Sequence, residues 1–347
     1  MTHTKTPTRR GLFAGLFAGV FAGRFAKLAS SLGAGLALCA LAPAALAQAA
    51  WPARPITLVV PFSPGGSTDV VARLLGQKLS EMWQQQVVVD NKAGAGGNIG
   101  TALVANAKPD GYTLVMASGS ILTVNPNLYQ KLPFDPKALM PITMVASGPM
   151  VVVVPASSDV KSVRELIAKA KAAPGSINFG SAGLGSQVHM AGEKFAFAAG
   201  VDMVHIPYKG ESLAYTDLMA GQIQVVVGNI AAISGLVGDG RLRALAVTSK
   251  ERSKIMPSVP TLDESGLPGF ENSGWFGLLA PSGTPRDVVE RIQRDTATVL
   301  NLPDVRAQLL TQGMSTVANT PAAFTQTIEQ ESKGWAEIIK QRKLTVN

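Results

Sequence analysis

Short runs of β-branched residues alternate with amphipathic stretches along most of the chain. Residues 56–60 are nearly all apolar and β-branched, which predicts a buried strand. Between Thr68 and Trp83 the apolar residues recur at helical spacing, which predicts a helix. The alternation continues with a predicted strand at 87–89, a helix at 98–107 and a strand at 112–117.

A second set of alternating elements begins near Met150. Ser162 and Glu165 have the spacing of an N-cap and its N3 partner, so a helix is predicted there. The Thr-Pro pairs at 284–285 and 320–321 each predict a cap and a first-turn proline opening a helix. Further strands are predicted at 151–154, 177–179, 203–206, 223–227 and 242–247, and helices at 188–199 and 213–220. The whole pattern predicts an α/β fold with largely parallel sheets.

Two glycine-rich loops, at 61–69 and 180–189, each join a predicted strand to a predicted helix. In open α/β sheets, ligands lie beyond the carboxyl ends of the strands. The start of a helix also offers unpaired N–H groups and the positive end of its dipole. Two such loops facing each other would direct N–H groups and hydroxyls at one anionic ligand. The alternative is that each loop is a tight turn with a serine cap.

Residues 1–47 have the parts of a cleaved export signal. An arginine pair at 9–10 precedes an apolar core at 28–46, and residues 45–47 fit the small-x-small cleavage rule. We therefore expect a mature chain that begins at Gln48 and works outside the cytoplasm. The arginine pair also resembles a twin-arginine signal. The small, Gly/Ala-rich core argues against the alternative of a transmembrane anchor.

The formal net charge of +8 comes mostly from this leader. The chain has 31 basic and 23 acidic residues, and five bases but no acids lie in residues 1–47, which leaves 26 against 23. The remainder has no basic run or basic–aromatic stripe, so we expect no nucleic-acid partner. The only cysteine, Cys39, also lies in the leader. The mature chain therefore has no disulfide, thiol nucleophile or cysteine metal site.

Catalytic and cofactor chemistry is not predicted. The mature chain has two histidines, His189 and His205, and no histidine–carboxylate motif, so we expect no metal and no cofactor. Ser181 and Ser186 lie on glycine turns, but the absence of a Gly-x-Ser-x-Gly elbow argues against an exported serine hydrolase. The loop at 92–100 lacks the third glycine of a dinucleotide site.

Seven segments together resemble the solute receptors of tripartite tricarboxylate transporters, also called the Bug family of periplasmic binding proteins. The resemblance spans essentially the whole mature chain, and its motifs occur in the family's order. The segments are residues 61–69, 89–97, 109–114, 125–129, 180–186, 205–210 and 275–281.

The resemblance implies a type II-like periplasmic-binding-protein fold, in which two α/β domains joined by crossing strands close over a ligand. The domains would comprise residues 50–149 plus 275–347 and residues 150–274. A monomeric receptor would pass a small organic acid or related molecule to the membrane subunits of a transporter. Carried onto this chain, the ligand contacts would be Phe62, Gly65, Gly66, Ser67, Thr68, Asp69, Ser118, Ser120, Ser181, Gly183, Ser186 and Asn229.

Three positions depart from the family's pattern. Ser63 stands where proline is frequent, and Gly228-Asn229 stands where many members have an aromatic residue followed by aspartate. The second change would widen the pocket and remove a charge. Glu211-Ser212 replaces the usual small residues. Amino acids, dicarboxylates, aromatic acids and uncharged amides are all candidate ligands, and a sensory or interaction protein without a transporter is the alternative function.

Overall fold

The computed structural model describes residues 51–346. The predicted leader, its cleavage site and Cys39 lie outside the described residues. Within this range no helix is both long and apolar enough to cross a membrane. The strands are β1 (Ile56–Val60), β2 (Val87–Asn91), β3 (Thr113–Ser118), β4 (Leu139–Pro155), β5 (Asn178–Ser181), β6 (Val204–Pro207), β7 (Val226–Asn229), β8 (Leu242–Val247), β9 (Ser273–Pro281) and β10 (Ser315–Thr316).

Helices flank these strands in chain order. They are α1 (Ser67–Trp83), α2 (Asn98–Ala105), α3 (Ser120–Thr123), α4 (Asn125–Leu128), α5 (Val163–Ala172), α6 (Gln187–Ala199), α7 (Glu211–Met219), α8 (Ile230–Gly238), α9 (Arg286–Leu300), α10 (Pro303–Thr311) and α11 (Pro321–Arg342).

Parallel pairing builds the first part of the sheet. β1 lies between β2 and β3 and is parallel to both. Its side chains Ile56, Leu58 and Val60 are buried, as the apolar run predicts. Leu75 and Leu79 of α1 belong to the same core cluster. Full burial of each such side chain is worth about 1.5–3 kcal/mol, so this apolar packing holds α1 against the sheet.

Strand β4 connects the two halves of the structure. Up to Pro149, which lies opposite Ser273, it pairs antiparallel with β9. From Met150, which lies opposite Asn229, it pairs antiparallel with β7 and β8 instead. We call the half that carries β1–β3 the first lobe and the half that carries β5–β8 the second lobe. One continuous strand therefore serves both lobes.

The expectation of largely parallel sheets is wrong for the centre of the molecule. The pairings of β9 with β3 and of β4 with β7, β8, β9 and β10 are all antiparallel. The crossing strands cause this, because β4 and β9 run in opposite directions between the lobes. The strand predicted at 151–154 is only the end of β4. Its earlier part contains Pro141, Gly148 and Pro149, which are residue types typical of turns.

Two of the three predicted helix caps are confirmed. The Ser162 hydroxyl accepts a hydrogen bond from the Glu165 N–H, and Glu165 accepts one from the Lys161 N–H. Thr320 caps α11 in the same way. Thr284 does not cap α9, because its hydroxyl donates to the carbonyl oxygen of Pro281.

Helix α11 is held on the crossing strands by one aromatic side chain. Phe324 is fully buried and meets the Trp275 ring edge-on, with the ring centroids 5.1 Å apart. A Cβ atom on Gly277 would overlap the Phe324 ring, so glycine at this point of β9 creates the space for it. The carboxyl-terminal helix therefore packs where the strands pass between the lobes.

The substitution Phe324→Ala should lower the free energy of unfolding by about 3–5 kcal/mol, because it leaves a cavity against β9. Urea denaturation followed by circular dichroism measures this. The matched control is Phe197→Ala, since Phe197 is 54% exposed and its loss should cost about 1 kcal/mol or less. Equal losses in the two variants would contradict this account of α11.

Candidate functional site

A narrow cleft lies where the first and second lobes meet. Its empty space measures about 280 Å³, part of it open to solvent. Backbone, hydroxyl, amide and apolar groups line it, together with one carboxylate. The lining residues are Phe62, Gly66, Thr68, Ser118, Ala182, Ser186, Gln187, Val188, Glu211 and Asn229.

The start of α1 forms one wall of the cleft. Gly66 is the N-cap residue, and no side chain of its own caps the helix. The first-turn N–H groups of Ser67, Thr68 and Asp69 therefore have no partner within the helix. The Ser67 N–H donates to the carboxylate of Glu211 from the second lobe. The Ser67 hydroxyl accepts a hydrogen bond from the Ala232 N–H across the same boundary, at 3.1 Å.

Asp69 is buried and stabilises the loop that precedes α1. Its carboxylate accepts hydrogen bonds from the Gly65 N–H, Arg73 and Asn91. Burial by itself would raise the pKa of Asp69, but these hydrogen bonds outweigh it and the pKa is lowered. Because its oxygens are already engaged within the first lobe, Asp69 shapes the loop and does not line the cleft.

The start of α6 forms the opposite wall. The Ser186 hydroxyl accepts a hydrogen bond from the His189 N–H, which leaves the N–H groups of Gln187 and Val188 without a partner inside the helix. The Gln187 side-chain oxygen accepts from the Trp275 N–H at 2.9 Å. Its side-chain nitrogen is buried without a hydrogen-bond partner. This wall thus keeps donors available at the cleft.

Ser181 and Gly183 lie behind the wall that α6 forms. The Ser181 hydroxyl lies 2.6 Å from His205 Nε2 and accepts a hydrogen bond from the Gly183 N–H. The His205 ring packs against the His189 ring at a tilt of 31°, with ring centroids 3.9 Å apart. Burial lowers the pKa of His205 to about 4 and, with the charge of His205, that of His189 to about 3. Both rings are therefore neutral at neutral pH and brace the glycine loop.

Glu211 is one of the cleft residues that the sequence did not predict as a contact. It is the first residue of α7 and is 5% exposed. Besides the Ser67 N–H, its carboxylate accepts hydrogen bonds from the Tyr215 hydroxyl at 2.9 Å and from the Asn229 amide at 3.1 Å. Burial, with the Glu211 charge, raises the pKa of Tyr215 well above its usual value, so the hydroxyl stays a donor.

The predicted contacts divide into two groups. Phe62, Gly66, Thr68, Ser118, Ser186 and Asn229 lie together on the cleft wall. The others are not among the residues that line the cleft. These are Gly65, Ser67, Asp69, Ser120, Ser181 and Gly183.

Four lining residues were not among the predicted contacts: Ala182, Gln187, Val188 and Glu211. The first three lie within the glycine loop at 180–189, so taking the whole of that loop as lining would have included them. The signal for Glu211 was an acid directly after a glycine, immediately before a predicted helix.

Direct contacts close the cleft on both sides. On one side the hydroxyls of Ser63 and Ser212 lie 3.1 Å apart. On the other, the Tyr129 hydroxyl donates to the carbonyl oxygen of Leu184 at 2.8 Å. A Cβ atom on Gly96 would overlap that same carbonyl oxygen. The glycine loop before α2, which is not a dinucleotide site, thus serves as a contact between the lobes.

Ionisable groups in residues 51–346 do not assemble into a metal site, since no three His, Cys, Asp or Glu side chains come together in that range. The chemistry at the cleft is therefore that of hydrogen-bond donors, hydroxyls, three apolar side chains and one carboxylate.

Comparison with known proteins agrees with this geometry. A family model described as the tripartite tricarboxylate transporter family receptor matches residues 71–344. Protein BugT of Bordetella pertussis is 39% identical over 293 residues, which cover 84% of this chain and 90% of BugT.

Solved structures show the same fold. The periplasmic binding protein BugD has a TM-score of 0.82 and 34% identity, covering 85% of this chain and 99% of BugD. Rpa4515 of R. palustris, solved with adipate, has a TM-score of 0.83 and 34% identity, again over 85% of this chain and 99% of the other. These proteins are solute-binding receptors and not enzymes, and their fold has two domains with a ligand cleft between them. The chain belongs to the tripartite tricarboxylate transporter receptor family, whose Bug members are periplasmic binding proteins.

Proposed function

We propose that this receptor captures a small carboxylate in the cleft between its lobes and delivers it to the membrane subunits of a tripartite tricarboxylate-type transporter. The observation that carries the proposal is the pair of helix starts on opposite walls of one cleft. The Thr68 N–H of α1 and the Gln187 and Val188 N–H groups of α6 have no intrahelical partners. Helix starts favour anions through these donors and through the helix dipole.

The remaining lining combines the polar and apolar groups that would contact an organic acid. Phe62, Ala182 and Val188 offer apolar surface, while Thr68 and Ser118 offer hydroxyls. A small cavity with a few convergent polar groups is typical of ligand sites. The adipate bound to the related Rpa4515 is a molecule of this kind, which supports a carboxylate for this chain also.

Release and capture require the lobes to separate. We propose that the moving bodies are residues 50–149 plus 275–347 and residues 150–274. The support is the change of partners along β4, from β9 at Pro149 to β7 at Met150. Superposing ligand-free and ligand-bound crystal structures tests this. Each body should superpose as a rigid unit. If the chain bends at another point, the proposed boundary between the two bodies is wrong.

We also propose that residues 1–47 direct export and are removed. The basic start, the apolar core and the small residues at 45–47 support this. Amino-terminal sequencing of the protein recovered from the periplasm should begin at Gln48. A protein that retains Met1, or that begins elsewhere, would contradict the proposed cleavage.

Binding itself is tested by a thermal-shift screen of organic acids, with adipate among them. A ligand that binds only the folded state raises the melting temperature, and the shift grows with ligand concentration. At least one small carboxylate should give such a shift. If no organic acid stabilises the protein at millimolar concentration, the proposed function is wrong.

A glycine pair then tests whether binding depends on lobe closure. Gly96→Ala places a Cβ atom against the Leu184 carbonyl oxygen, whereas Gly200→Ala introduces a Cβ with nothing within 4 Å. Both glycines have φ close to +60°, so the two variants carry similar backbone strain. Calorimetry with the best acid from the screen should show an affinity about tenfold or more weaker for Gly96→Ala alone, because its closed state is less populated. Equal effects of both variants would contradict closure over the ligand.

A further inference from the structure

Glu211 brings a fixed negative charge into the cleft. Its carboxylate is almost fully buried and lines the cavity. Two donors of its own lobe orient it, namely the buried Tyr215 hydroxyl at 2.9 Å and the Asn229 amide at 3.1 Å. Because both donors belong to the second lobe, the carboxylate is held in place whether the lobes are open or closed. It is therefore a built part of the cleft wall.

Nothing else on the wall balances this charge. No other lining residue is ionisable, and no lysine or arginine lines the cavity. The nearby cation Arg73 is engaged with Asp69 at 2.8 Å. Neutral donors satisfy the carboxylate but add no positive charge, so the cleft has a formal charge of −1 from its side chains.

The position of the charge determines which ligand end can lie beside it. One carboxylate oxygen of Glu211 already occupies the Ser67 N–H at the start of α1. A ligand carboxylate placed there would meet a like charge at short range in a poorly solvated space, which is unfavourable. The start of α6, with the free N–H groups of Gln187 and Val188, has no such acid bonded to it. An anion is therefore better placed at α6 than at α1.

We propose that Glu211 determines the specificity of the cleft and selects carboxylates that carry an ammonium group. The ligand carboxylate lies at the start of α6, and the ammonium group lies against Glu211. This rests on the proposed function, since it names the ligand class of that same cleft. It also assigns a role to the acid that replaces a small residue after Gly210: it supplies the charge that the cationic end of the ligand pairs with.

Matched ligand pairs test the proposal by calorimetry. The pairs are succinate with 4-aminobutanoate and adipate with 6-aminohexanoate, whose members differ only in one end group. The wild-type protein should bind the amino acid of at least one pair about tenfold or more tightly than its diacid. In Glu211→Gln the two members of a pair should bind with about equal affinity, or the diacid should bind more tightly. The reason is that the substitution removes the charge of the side chain but keeps its shape.

Two further variants distinguish an effect of charge in the cleft from an effect of charge elsewhere on the protein and from a loss of folding. Glu251→Gln removes an exposed acid outside the cleft and should leave the preference unchanged. Tyr215→Phe retains the Glu211 charge but removes a hydrogen bond that orients it, so the preference should fall only in part. If Glu211→Gln does not fold, as judged by circular dichroism, the comparison of Tyr215→Phe with wild type decides the matter.

Several outcomes would overturn the inference while leaving the proposed function intact. These are a wild-type preference for the diacids, binding of carboxylates that carry no ammonium group but of neither pair, and a preference that survives in Glu211→Gln. Equal strengthening of both members of a pair in that variant would also overturn it, because Glu211 would then only compete with carboxylates for the start of α1. If no carboxylate of any kind binds, the proposed function fails and the inference fails with it.

Discussion

Unpaired backbone N–H groups at the starts of α1 and α6 are the constraint around which the cleft is organised. Buried donors of this kind must find an acceptor. Neither helix start satisfies all of its donors by itself, because α1 has no side-chain cap and Ser186 caps only one N–H of α6. The acceptors must come from the opposite lobe or from a ligand. The proposed closing of the lobes and the proposed binding of an acid would therefore meet the same physical need.

β4 passes from β9 to β7 and β8 within one continuous strand, so the strands of each lobe pair with a different part of β4. The proposed closure is therefore a movement of whole lobes about this strand. The contacts that join the lobes include polar pairs such as Ser63–Ser212 and Tyr129–Leu184, and the apolar packing of Met190 against Val124, Leu128 and Ile339. A ligand can shift the balance between open and closed lobes by its preference for the closed form. Phe324 and α11 stabilise the crossing point itself.

Local sequence signals predicted the parts of the structure that depend on local chemistry. The apolar run of β1, the periodicity of α1 and the Ser162 cap are each determined by neighbouring residues, and all are present. The length of β4 was missed because Pro141, Gly148 and Pro149 obscure its pattern, and pairing with β9 overrides their preferences. The antiparallel centre was missed for a related reason, since strand direction across a sheet depends on distant partners.

The same division applies to the site. Both glycine loops were predicted to face one cleft, and Phe62, Gly66, Thr68 and Ser186 lie there together. Glu211 was noticed only as a departure from the family pattern. Its role depends on Ser67, which lies 144 residues away along the chain, and no local pattern reports a contact across that separation. The sequence thus located the walls of the cleft but not the charge that lies between them.

A crystal structure of the receptor with the most stabilising organic acid tests the central claim most directly. The account predicts that an oxygen of the ligand carboxylate lies within hydrogen-bonding distance, about 2.7–3.2 Å, of a backbone N–H at the start of α6 or α1. The ligand should be enclosed by both lobes. A ligand bound outside this cleft, or held there with its carboxylate away from both helix starts, would contradict the account.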